Sequence, residues 1–203
     1  MASLAHMVDD PGAARVWRIL VAAPFPPRLD GRHGGSRAVA QLLAQLADRH
    51  RIALLVLRAH DEPGVDKILR SRCDLVEEVE IPRVGASFGA RLTHRIRLRA
   101  ALFRGMSTWA AERTAPGFGV RLEELANTWC PDVIQLEYRI MGQFLPAVAA
   151  CSKPSVLVDH DPASAEGIGS ALLELVEEHA WKSLGRAVSR QVDTIVVFSL
   201  GLG

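Results

Sequence analysis

Cysteine is scarce in this chain, and what there is forms no pattern. Cys73, Cys130 and Cys151 are widely spaced with no Cys-x-x-Cys pair, which excludes a disulfide framework and a zinc site and suits a reducing compartment. An excess of charge is also missing. The formal net charge is only +1, without the basic surplus of a dedicated nucleic-acid binder, so no nucleic-acid partner is expected. No apolar run approaches the ~20 residues that span a bilayer. The opening MASLAHMVDDPGAAR has neither the charged flank nor the apolar core of a signal peptide. The expected location is the cytoplasm, with a peripheral position on the inner face of the membrane still open.

Several motifs are absent too. The first predicted strand is followed by APFPPRLDGRHGGSR, longer and richer in proline than the GxGxxG turn of an NAD or FAD site. There is no GxxxxGK[ST] phosphate loop and no GxSxG elbow, so neither a P-loop NTPase nor an α/β-hydrolase is expected.

What is present is a strand–loop–helix unit at Trp17 to His50. Trp17 to Ala23 is a continuous apolar run, the mark of a strand covered on both faces in a parallel sheet. A helix follows from about Ser36 to Asp48, with Val39, Leu42, Leu43 and Leu46 on one face. Gly34 and Gly35 stand where this helix begins. Lacking Cβ, they would let a ligand approach the backbone, and a helix N-terminus favours anions such as phosphate. Gly34, Gly35 and Ser36 are therefore candidate phosphate contacts, although a lone Gly-Gly is as readily a structural turn.

Strand and helix alternate along the rest of the chain. Strands are expected at Ile52–Leu57, Leu75–Ile81, Asp132–Leu136, Ser155–Asp159 and Asp193–Phe198. The Leu75 strand is the most polar and belongs near a sheet edge. Helices are expected at Val65–Arg72, Phe118–Trp129, Met141–Ala150 (with Pro146 in its first turns or kinking it) and about Ala163–Gln191. On propensity, Gly167, Gly169 and Gly185 predict a break in the last one. With 203 residues, 49% of them hydrophobic, the chain reads as a tail over 1–15, expected to be disordered, and one α/β domain over 16–203. The fold expected is a doubly wound, mainly parallel, Rossmann-like sheet with its site at the carboxyl edge.

Three loops converge at that edge: Gly34-Gly35, Glu137-Tyr138 and Asp159-His160-Asp161. The last has three readings. It matches an Asp-x-Asp metal motif; Asp161 before Pro162 is a turn or helix cap; or His160 contacts substrate, with a side chain suited to hydrogen-bonding sugar hydroxyls. Glu137 is either an exposed loop residue or a carboxylate facing an acceptor. Of the other histidines only His33 lies near this edge.

Residues 82–111 stand apart. Arg83, Arg91, Arg95, Arg97, Arg99 and Arg104 occur with no acidic residue before Glu112, beside the apolar stripe Leu92, Ile96, Leu98, Leu102, Phe103, Met106 and Trp109. The segment reads as a basic amphipathic helix. It is either packed on the domain with its arginines solvated, or in contact with anionic lipid headgroups or a phosphorylated acceptor.

The run RILVAAPFPPRLDGRHGGSRAVAQLLAQLADRHRIALLVL, then PDVIQLEYRIMGQFLP, SVLVDHD and VDTIVVFS, resembles the amino-terminal domain of family-4 retaining glycosyltransferases of the GT-B fold, over about residues 17–199. The resemblance implies a two-domain enzyme that moves a sugar from a nucleotide donor to a glycan or lipid-linked acceptor with no cofactor and no obligate metal. It implies that Gly34, Gly35 and Ser36 face the donor diphosphate. It places Glu137, Tyr138, Arg139 and Asp161 in the acceptor region and His160 against the transferred sugar. The family's donor domain has no counterpart here, so no turnover by the isolated chain is expected, and self-association through apolar surface near the carboxyl end is. A sugar-nucleotide epimerase half and a non-catalytic Rossmann-like binding module are the alternatives.

Overall fold

The computed structural model describes residues 15–31, 33–85, 87–160 and 171–197. Six strands form a single sheet in which every pairing is parallel: β1 (Arg18–Ala23), β2 (Arg51–Arg58), β3 (Leu75–Glu80), β4 (Val133–Glu137), β5 (Ser155–Asp159) and β6 (Thr194–Val197). Their spatial order is β3-β2-β1-β4-β5-β6, the Rossmann-like arrangement, whose order reverses between β1 and β4.

Alternation along the strands explains their apolar runs. Leu20 and Ala22 of β1, with Ala53, Leu55 and Leu57 of β2, enter one core. Ile19, Val21 and Ala23, with Ile52, Leu54 and Val56, enter the other. Helices close both faces. α1 (Gly34–Ala47) and α2 (Lys67–Arg72) bring Val39, Ala40, Leu43 and Leu69 to one side, while α5 (Phe118–Trp129) and α6 (Leu145–Ala150) bring Phe118, Leu122, Leu125 and Val148 to the other. Leu42, expected on the packed face, is only partly covered, and Ala40 takes that place.

The edges are unlike each other. β3 carries Glu77 and Glu78, paired with Arg121 and with Arg58 and Arg70; charged side chains of this kind keep an edge from recruiting another strand. β6 leaves Ile195, Val196 and Val197 exposed.

Three helical expectations need correction. Residues 82–111 are not one helix but α3 (Phe88–Phe103) and α4 (Thr108–Glu112). Gly105, at φ 82°, ends the first: its N–H bonds the Leu102 carbonyl and that of Met106 the Ala101 carbonyl, the usual left-handed glycine termination. Ser107 Oγ then caps α4 by accepting from Ala110 N. The expected helix from Met141 starts instead as a 3-10 turn (Arg139–Phe144), with Pro146 in the first turn of α6 where its missing N–H does no harm. Finally, α7 (Ala171–Gln191) runs unbroken through Gly185. Its buried Ala180, Trp181 and Val188 hold it helical, tertiary packing outweighing the ~1 kcal/mol intrinsic cost of a glycine. Gly167 and Gly169 lie outside the described residues.

Candidate functional site

The loop after β1 is held from several sides. Ser36 Oγ donates to the Pro26 carbonyl (3.0 Å) and accepts from Arg28 N (3.0 Å). The Arg28 guanidinium reaches the Gly64 carbonyl (2.7 Å), and Asp66 accepts from Leu29 N (2.9 Å). Arg113 contacts the Pro24 carbonyl (3.3 Å) and pairs with Glu62. Burial works to raise the Glu62 carboxyl, but the hydrogen bonds from Arg113 and the Ala59 N–H hold it below its ordinary value. The result is a rigid entry to α1, with His33 at the N-cap accepting from Ser36 N through Nδ1 (3.3 Å). Ser36 is thus a loop clasp: it is buried and its hydroxyl is used internally.

The two glycines differ. A Cβ on Gly34 would meet nothing within 4 Å, whereas one on Gly35 would lie 2.1 Å from the Tyr138 hydroxyl. Gly34 leaves its backbone open; Gly35 makes room for tyrosine. Apart from the His33 cap on Ser36 N, the first turn of α1 carries no acidic side chain to offset its positive end.

Tyr138 follows β4 with φ 69°, a conformation non-glycine residues adopt at a cost of ~1–3 kcal/mol. Surrounding rings hold it. Phe25 (5.1 Å between centroids) and Trp109 (5.8 Å) meet it edge-on, and His160 stacks on it at 4.8 Å.

His160 is held from behind. Its Nε2 lies 2.5 Å from Glu137 Oε2, and the other oxygen of that carboxylate accepts from Gln135. The Glu137 side chain is fully buried and that of His160 is 9% exposed. Both Glu137 oxygens are thus engaged inside the domain. A carboxylate in this position fixes the orientation of an imidazole ring.

Gly34, Gly35, Ala38, Gln41, Leu42, Gln45, Tyr138 and His160 line one cleft of about 510 Å³. It opens at the carboxyl ends of β1, β4 and β5, the point where strand order reverses and where ligands bind in open α/β sheets. The glycines, Tyr138 and His160 are thus brought together. Strand alternation sends the neighbours elsewhere. Asp159 faces away from His160 and pairs with Arg139 (Nε to Oδ2 3.0 Å), and both line a separate concavity with Lys182, Arg186 and Arg190. Arg139 accordingly does not join the cleft, and Asp159 holds it through Oδ2. Asp161 lies outside the described residues. The arginines Arg91, Arg95, Arg97, Arg99 and Arg104 are exposed on and just beyond α3.

Sequence reasoning did not assign Gln135, Gln41 or Gln45 to the site, and it read Trp109 only as part of an apolar stripe. The i, i+4 glutamines beside Ala38 were a legible signal of a polar helix face; the position of Trp109 against Tyr138 had none.

No protein-family model matches the chain, and no curated protein is recognisably similar to it. Among solved structures, it overlaps Phytolacca americana UGT2 complexed with UDP-2fluoro-glucose and pterostilbene at 12% identity and TM-score 0.48, covering 91% of this chain and 48% of that one. A UDP-N-acetylglucosamine 2-epimerase overlaps at 11% identity and TM-score 0.43, with coverages of 89% and 41%. Arabidopsis thaliana UGT89C1 complexed with UDP-L-rhamnose overlaps at 14% identity and TM-score 0.41, with coverages of 92% and 46%. The chain spans less than half the length of each. Overlaps this loose assign neither a family nor an activity.

Proposed function

We propose that the cleft between Gly34-Gly35 and His160 is the acceptor-side wall of a retaining, nucleotide-sugar-dependent glycosyltransferase site of GT-B type. The observation that carries this reading is the pairing, across one cleft, of a helix start free of acidic side chains with a histidine backed by a buried carboxylate. A diphosphate would sit at the open backbone of Gly34, since first-turn N–H groups lack partners within their own helix. His160 would hydrogen-bond the sugar, with Glu137 and Gln135 setting its orientation. The acceptor, a glycan or lipid-linked sugar, would enter past Tyr138. The chemistry proposed needs no cofactor and no obligate metal.

In this reading the domain described supplies one side of such a site. Acceleration needs groups that meet the transition state from both sides, so transfer is assigned to an assembly in which a donor-binding domain faces this cleft.

The test is an amide and imidazole NMR titration of the chain with UDP-glucose and with uridine as control. The expected result is weak, saturable perturbation at Gly34, Gly35 and the His160 ring with the diphosphate only. Equal response to uridine, or none at these residues, overturns the reading.

A further inference from the structure

Helix α3 breaks the ordinary rule for a surface helix, because its large apolar side chains face outward. Phe88 is 78% exposed, Leu92 47%, Ile96 59% and Phe103 70%. The first three are spaced by four and Phe103 continues the same face two turns on, so they form one stripe along a helix of 16 residues. Leu102, in its last turn, is its one buried residue among those described.

Cations border this stripe. Arg91, Arg95 and Arg99, again spaced by four, form a ladder beside the stripe, and Arg97 and Arg104 are exposed farther round the helix. None of the five forms a salt bridge among the described residues, and no acidic residue occurs between Pro82 and Ala111. Phe88, Arg91, Leu92 and Arg95 enclose a shallow hollow of about 250 Å³.

We infer that α3 is a docking helix for an anionic lipid surface, lying in the plane of the headgroups with Phe88, Leu92, Ile96 and Phe103 immersed. Long arginine stems can follow the apolar stripe down while their guanidinium groups stay among phosphates. Charge complementarity selects this occupant: a ladder of cations without carboxylate partners among the described residues, running beside one straight apolar stripe, matches a flat anionic plane. A second copy of the same helix would instead bring arginine ladders against each other. Among the described residues no helix is long and apolar enough to cross a membrane, so the attachment is peripheral.

The docked helix is also placed to matter for the cleft. α3 leads through Gly105 into α4, whose Trp109 meets Tyr138 edge-on. A surface-bound α3 would set the cleft at the headgroup layer, where a lipid-linked acceptor would be found. That last step rests on the proposed function; the docking itself does not.

The experiment is co-sedimentation of the 203-residue chain with phosphatidylcholine vesicles, with and without phosphatidylglycerol, at low and high salt. Binding is expected only with phosphatidylglycerol and should weaken with salt. Each arginine near such a surface contributes about a fivefold factor, so Arg91→Gln, Arg95→Gln and Arg99→Gln together should weaken binding by roughly a hundredfold. Phe88→Ser with Ile96→Ser should weaken it at least about tenfold, with the thermal midpoint of either variant unchanged. Equal recovery on neutral and anionic vesicles overturns the inference, as does no recovery on either. A fall in thermal midpoint would show the stripe to be packed, and a concentration-dependent dimer abolished by the serine variant would make it a copy–copy interface. Either result also overturns it. Failure of nucleotide-sugar binding would leave every one of these readouts unaffected, so the two proposals fail separately.

Discussion

The carboxyl rim and helix α3 invert the burial rule in opposite senses. At the rim, polar groups lie inside: Glu137 is fully enclosed, His160 nearly so, and each hydrogen-bonds a neighbour. On α3, apolar groups lie outside, and the arginines beside them have no carboxylate partner among the described residues. A buried carboxylate is costly unless hydrogen-bonded, and an exposed apolar stripe is unfavourable unless covered. The first region has met its cost internally, so it is rigid and built to orient something. The second has not, and its cost is relieved only by a partner surface.

The largest expected effect tests the internal half of that contrast. Glu137→Ala removes the partner of both His160 and Gln135 in a closed site, and should cost about 3–5 kcal/mol in urea denaturation. A loss within the surface range would mean that the rim is not held as described.

Next comes Gly35→Ala. Its methyl would meet the Tyr138 hydroxyl at 2.1 Å, and overpacking of this kind costs ~1–3 kcal/mol. In a Tyr138→Phe background much of that loss should disappear, giving a coupling of about 1 kcal/mol in a double-mutant cycle. Simple additivity would show that the glycine serves something other than tyrosine.

A pH effect sharpens the comparison, because it should act on the rim and not on α3. Burial tends to raise the Glu62 carboxyl, yet Arg113 and the Ala59 N–H hold it below its ordinary value of 4.5. Its contribution is therefore complete above that ordinary value and is lost as pH falls through the lower, folded-state value. Thermal midpoints of the parent and of Glu62→Gln should differ near neutrality and converge on acidification. Parallel curves throughout would remove Glu62 as the clasp on the β1 loop.

The smallest effect is expected on α3. Replacing Arg91, Arg95 and Arg99 by Gln should shift folding stability by no more than ~0.5 kcal/mol, as for solvated side chains generally. A larger loss would mean that these side chains hold the fold, and the contrast between the regions would fail.

Much of the fold was legible because its signals are local. The apolar runs of β1 and β2 announced strands covered on both faces, and the charges of β3 announced an edge. The rim was partly legible. Convergence of Gly34-Gly35, Glu137-Tyr138 and His160 follows from strand–helix alternation, since each loop leaves the carboxyl end of a parallel strand. What a short motif could not convey was facing: Asp159 and His160 are neighbours in sequence but leave β5 on opposite sides, and Glu137 goes inside while Tyr138 lines the cleft. Helix ends were misjudged where a single glycine decided them in opposite ways, Gly105 ending a helix and Gly185 lying inside one.

Hydrophobic periodicity alone determined the order of elements, the parallel sheet and the edge on which the loops gather, because these depend on the spacing of apolar residues along the chain. Which of the gathered side chains became ligand-facing and which became internal supports was decided only in three dimensions. Burial and partnership are relations between distant segments: Ser36 with Pro26, Glu137 with His160, Gly35 with Tyr138. The same holds for α3. Its arginines and apolar residues were visible in sequence, but only the tertiary structure decided that the domain leaves the stripe uncovered.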